Sequence, residues 1–318
     1  MAPSFDCAVS SLLSAEDKLI IFDDKDDYFG GGGEFEATTW NHRIYRNSNQ
    51  NRGFNGVGED GLPLQSEECV ALMLEKEHQH LPNADYLKRI KSGDLDLAAR
   101  KEAVDFIGKV NAQFGFGPLC EYLSINYLDR FLSAYELPKD KAWTMQLLAV
   151  ACISLAAKME ETQAPLLLDL QVVECKFVFE TRTIQRMELL VLSTLNWKMQ
   201  AITPFSYVDY FLYKLNGDKI PERSSILRSS QLIPSTIKGI DLFEFKPSEI
   251  AAAVAISVSA LDTEKAASFL TQHVQKERVI NCVGVMHDMS LVGNNTGVPP
   301  SPIGVLDAAC FSPCNHSK

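Results

Sequence analysis

The sequence predicts an all-α protein: two tandem five-helix units, one extra helix in front, and disordered tails at both ends. Three observations carry this. Between about residues 65 and 292, apolar residues recur at helical spacing. The third helices of the two halves resemble each other, AVACISLAA (149–157) and AAVAISVSA (252–260), with four identities in nine. Equal rank in each half points to a duplicated unit. The flanks, 1–64 and 293–318, hold an acidic run, the glycines Gly30 to Gly33 and Asn/Gly/Pro-rich stretches without sustained periodicity. The expected boundaries are 1–64 (tail), 65–201 (leading helix and first unit), 202–292 (second unit) and 293–318 (tail).

The elements follow in order. SEECVALMLEKEHQHL is the leading amphipathic helix, closed by a turn at Pro82-Asn83. LDLAARKEAVDFIGKVNAQFG carries Leu97, Val104, Ile107, Val110 and Phe114 on one face, and Gly115 stops it. Pro118 suits the first helical position of PLCEYLSINYLDRFLSAYEL. Pro138 opens the long apolar helix that ends at Lys158. Pro165 opens PLLLDLQVVE, and Thr181 is placed to cap RTIQRMELLVLSTLNW. The second unit reads TPFSYVDYFLYKL, SSILRSSQLIPSTIKGI, KPSEIAAAVAISVSAL, TEKAASFLTQHV and KERVINCVGVMHDMSL.

Composition narrows the function. The 318 residues carry a formal net charge of −11, which opposes a general nucleic-acid binder. The uncharged run Ala142 to Ala157 is shorter than the roughly 20 residues that span a bilayer, so no membrane is expected. The start, MAPSFDCAVSSLLSAEDKL, lacks a basic secretory n-region. Eight cysteines form no C-x-x-C pair and read as reduced core thiols. Cys310, Cys314 and His316 are a chance cluster in a loose tail. No metal, cofactor or catalytic constellation is expected.

Lys158 is the anomaly. It ends an otherwise apolar helix, and the second copy has Leu261 in its place. Two readings fit: a lysine snorkelling at a helix C-terminus, or a residue serving a function of the first unit only.

The runs ARKEAVDFIGKV, SINYLDRFLSAYELPKDKAWTMQLLAVACISLAAKMEE and RMELLVLSTLNW resemble the cyclin box. GIDLFEFKPSEIAAAVAIS and SPIGVLDAAC are similar to plant D-type cyclins in particular. The resemblance covers about residues 66–310. It implies two cyclin-box folds and a non-catalytic subunit that binds and activates a cyclin-dependent kinase at G1/S, in nucleus and cytoplasm. Carried over by motif, Lys158 (AAKMEE) and Glu188 (RMELL) are the kinase-contacting pair, and Leu147 shares their surface. Arg100 (AARKEA) and Asp129 (YLDRFL) form an internal salt bridge. Kinase inhibitor proteins are further implied partners.

Two places depart from the family. The substrate-docking groove has Ala99, Ala103, Phe106 and Lys109 where many cyclins carry Met, Leu, Trp and an acid, although Gln146 is retained. Lys109 would repel the basic residue of such substrates. Near the N-terminus, LLSAE keeps Leu12, Ser14 and Glu16 at the spacing of the L-x-C-x-E motif that docks retinoblastoma-related protein. Serine for cysteine costs roughly 1–3 kcal/mol in an apolar pocket, so weakened docking is implied. Ser301 and Ser312, each before proline, are candidate phosphosites. The rival readings are a cyclin-fold transcription factor, opposed by the acidic charge, and a transcriptional-kinase cyclin, opposed by the D-type motifs.

Overall fold

The computed structural model describes residues 65–138, 141–171, 175–259 and 261–294. Among them there are eleven α-helices, two 3-10 turns and no strand. The leading helix α1 (Glu67–Lys76) starts where Ser66 Oγ accepts from the Cys69 N–H, with Glu67 and Glu68 at the positive end of the dipole. A 3-10 turn, Glu77–His80, follows. Next comes a six-residue helix, α2 (Tyr86–Lys91), that the periodicity did not predict.

The first unit is α3 (Leu97–Phe114), α4 (Pro118–Ala134), α5 (Trp143–Glu160) and α6 (Thr181–Thr194). Asp96 Oδ1 caps α3, and Gly115, at φ 63°, ends it in the left-handed conformation that glycine adopts without strain. Pro118 is the first residue of α4. α5 begins at Trp143 and not at Pro138, and Glu180 rather than Thr181 occupies the cap position of α6. Where PLLLDLQVVE predicts a fourth helix, the described residues hold only a 3-10 turn, Asp169–Gln171. The Gln171 amide accepts from the Phe179 N–H at 2.6 Å and donates to the Phe179 carbonyl at 3.0 Å. The Gln171 side chain thus ties this segment to the backbone just before α6.

The second unit is α7 (Phe205–Leu215), α8 (Arg223–Lys238), α9 (Pro247–Val258), α10 (Thr263–Phe269) and α11 (Lys276–Asn294). α11 runs through the expected boundary at 292. In each unit the apolar third helix is central. α5 packs against α3, α4 and α6, and α9 packs against α7, α8, α10 and α11. Ala149, Ala151 and Ala251 to Ala253 are fully buried, small residues that allow close helix approach.

The units meet where α4 packs on α8. Glu77, buried in the leading turn, accepts from the Ser248 N–H (3.1 Å) and Oγ (3.0 Å) at the start of α9. The extra segment in front therefore touches both halves.

Candidate functional site

α5 is buried without a break from Leu147 to Ala157, and Lys158 is the first residue of its last turns to reach the rim. Its Nζ lies 2.7 Å from Oε1 and 2.7 Å from Oε2 of Glu188, on α6. The lysine side chain is 45% exposed and the glutamate 8%. The following glutamate, Glu161, accepts from the Gly117 N–H at 3.1 Å, serving an orphan donor at the start of α4.

A pocket of about 750 Å³ opens beside the ion pair. Met159, next to Lys158, and Leu192, one turn beyond Glu188, form one wall. Leu72 and Met73 of α1 form another, and Trp197 and Met199 close it after α6. Leu72, Met159 and Trp197 are exposed. Trp197 (φ 60°) and Asn196 (φ 52°) are both left-handed, a conformation that costs a non-glycine residue about 1–3 kcal/mol. α4 holds the turn in place. The Arg130 guanidinium donates to the Lys198 carbonyl at 3.0 Å and Tyr127 OH to the Met199 carbonyl at 2.6 Å.

His80, at the pocket floor, is held down to about 4 by burial first and then by the charges of Arg130, Lys198 and His78. The unfolded chain protonates such a group near 6.5. Its contribution to stability is therefore complete above pH 6.5 and is lost as the pH falls towards 4. About 1–2 kcal/mol should be gone by about pH 5. Urea unfolding checks this, because His80→Gln should lack that part of the acid sensitivity.

Of the residues singled out in the sequence, Arg100 and Asp129 meet at 2.7 and 2.8 Å and are buried. Leu147 does not share the surface of Lys158. It is 2% exposed and begins the stretch of α5 that is buried without a break. Leu261 is not the counterpart of Lys158 in place: α9 stops at Val258, and Leu261 lies beyond it, 41% exposed. Gln146 is engaged by the chain itself, donating to the Phe177 carbonyl at 2.7 Å and accepting from its N–H at 3.2 Å. Leu12, Ser14, Glu16, Ser301, Ser312, Cys310, Cys314 and His316 lie outside the described residues. Sequence reasoning missed Leu72, Met159, Leu192 and Trp197. The available signal was apolar residues flanking both members of the charged pair.

Among the described residues no cluster of three His, Cys, Asp or Glu could hold a metal ion. No helix there is long and apolar enough to cross a membrane. The arrangement presents an apolar recess near a charged pair.

Comparison with known proteins gives that surface a family. Residues 68–200 match the model for the cyclin N-terminal domain, and residues 202–298 match that for the cyclin C-terminal domain. The chain belongs to the cyclin family. It is 44% identical to Cyclin-D4-2 of Oryza sativa subsp. japonica over 98% of this chain and 90% of that protein. It is 53% identical to Cyclin-D4-1 of the same organism over 78% and 73%. A viral cyclin from herpesvirus saimiri shares the fold, with a TM-score of 0.53, 17% identity, and coverage of 61% of this chain and 85% of that one. This cyclin is thus of the plant D type. It is a non-catalytic regulatory subunit of a cyclin-dependent kinase, and its G1/S role is that of the D-type family.

Proposed function

We propose that this cyclin engages its kinase through the Lys158–Glu188 pair and the adjoining pocket, which receives the helix the kinase must reposition. An active kinase needs an ion pair between its β3 lysine and the glutamate of that helix. A rigid surface that binds only the active position shifts the population towards it. The observation that carries this reading is an apolar recess, open to solvent, at the one rim where the buried α5 ends in a charge. Leu72 and Trp197 supply anchors of the kind that bury well at interfaces. Lys158, bonded to Glu188 and still nearly half exposed, keeps donor capacity for backbone carbonyls of a partner.

The test is Leu72→Glu. Leu72 is exposed on α1, so the fold should hold and the melting temperature stay within a degree or two. A carboxylate in the recess should weaken kinase binding at least about tenfold, which corresponds to 1.4 kcal/mol. Unchanged affinity by titration would remove the pocket from the interface.

The same reading extends to partners beyond the kinase. The spacing of Leu12, Ser14 and Glu16 supports weakened docking of retinoblastoma-related protein. Kinase inhibitor proteins and a nuclear location rest on family resemblance. Two things support a substrate groove on α3 that reads a different motif from most cyclins: the positive charge of Lys109, and the engagement of Gln146 by Phe177.

A further inference from the structure

We propose that the segment of the kinase entering the pocket is acidic on the side that faces the end of α1. This rests on the pocket reading above and adds the partner's charge to it. The polar lining consists of Lys76, Gln79, His80, Lys198 and Gln200, and no Asp or Glu among the described residues lines it. In a chain with 41 acidic and 30 basic residues, a wall without carboxylates runs against composition.

The two lysines differ from others that touch the core. Lys158 is paired with Glu188, Lys214 with Glu67 and Asp218, and Lys238 with Glu121. Among the described residues neither Lys76 nor Lys198 is in an ion pair. The Lys198 ammonium donates instead to the neutral Gln79 Oε1 at 3.0 Å. Behind the wall Arg130 is 5% exposed, and its described hydrogen bonds go to neutral acceptors, the Lys198 carbonyl and Asn126 Oδ1. Lys76 and Lys198 therefore line the wall, Arg130 stands behind Lys198, and His80, near Arg130 and Lys198, is neutral at pH 7.

Apolar walls on Leu72, Met73 and Trp197 lower the local polarisability and lengthen the reach of that field. Glu68, one turn before Leu72 on α1, carries the opposite sign at the other end of the same stripe. The partner segment is therefore polarised: an apolar face in the recess and carboxylates over Lys76 and Lys198, the pattern of an acidic amphipathic helix in a groove.

Association kinetics test this with full-length chain and purified kinase subunit, at low and at high salt. The double variant Lys76→Glu with Lys198→Glu should associate about tenfold more slowly at low salt, and the difference should shrink at high salt. A control, Lys219→Glu with Lys265→Glu, makes the same change in net charge on the second unit and should associate like wild type. If the pocket variant slows no more than the control, the charge inference fails. It fails alone if Leu72→Glu still weakens binding, and the pocket reading falls with it if Leu72→Glu binds normally.

Discussion

The double variant Lys158→Met with Glu188→Leu is expected to stay folded and to lose kinase affinity by roughly 30- to 4,000-fold. Each charge in the pair is the other's partner at 2.7 Å, and Glu188 is buried. Lys158→Ala alone therefore does more than trim a solvated side chain. It leaves a buried carboxylate uncompensated, at a cost of roughly 1–3 kcal/mol once the lysine's exposure is discounted. A loss of kinase binding in that single variant would be mixed with a loss of fold. Replacing both residues by apolar groups of similar volume removes the charges together, which is often neutral for stability. Partner groups that the pair would serve then stay unpaired on docking, at a cost of about 2–5 kcal/mol. Thermal unfolding should show the double variant near wild type, and titration with the kinase should show the affinity loss. Wild-type binding by a folded double variant would rule the pair out of the interface.

Asp129→Ala should lower the melting temperature more than any surface change. Asp129 accepts from Arg100 Nε (2.7 Å), Arg100 Nη2 (2.8 Å) and Tyr86 OH (2.7 Å). Arg100 and Asp129 are 3% and 1% exposed, so removing the acid strands a guanidinium in the core. Breaking one side of a buried pair costs about 3–5 kcal/mol. At about 2–4 °C per kcal/mol for a folded body of this size, the drop is roughly 6–20 °C. Leu261→Ala is the contrast: an exposed leucine beyond the end of α9 has no cavity to leave behind and should melt within a degree or two of wild type. A scan showing Asp129→Ala within a few degrees of wild type would mean that water or a rearranged Tyr86 compensates the arginine.

The fold was legible wherever burial imposed a period. α3 announced itself through Val104, Ile107 and Val110, and α9 through its match with α5. α2 was not legible, because six residues make too few turns for a pattern and Lys88, Arg89 and Lys91 dilute it. In PLLLDLQVVE the described residues form only a 3-10 turn, whose Gln171 bonds the backbone of Phe179, a link that apolar spacing does not reveal. The family motif pointed to Lys158 and Glu188, and the structure adds their mutual bond, which joins positions 30 residues apart. Leu147 was misplaced because helical spacing assigns a face, and on a helix covered all round a face says nothing of exposure. Trp197 was invisible because no glycine marks its turn. α4, through Arg130 and Tyr127, holds a conformation that the local sequence does not favour.

Beyond Asp129, Arg100 has two further bonds, Nη2 to the Ile237 carbonyl (3.0 Å) and Nη1 to the Lys238 carbonyl (2.8 Å), both at the end of α8. A single side chain of the first half thus closes a helix of the second. The two halves are alike in their apolar third helices, yet Arg100 and Glu77 of the first each bond to backbone or side chain of the second. A fragment cut at residue 201 would expose the arginine's spare donors and the carboxylate of Glu77 to whatever solvent could reach them. The boundary between the repeats is therefore a bonded joint rather than a line of division.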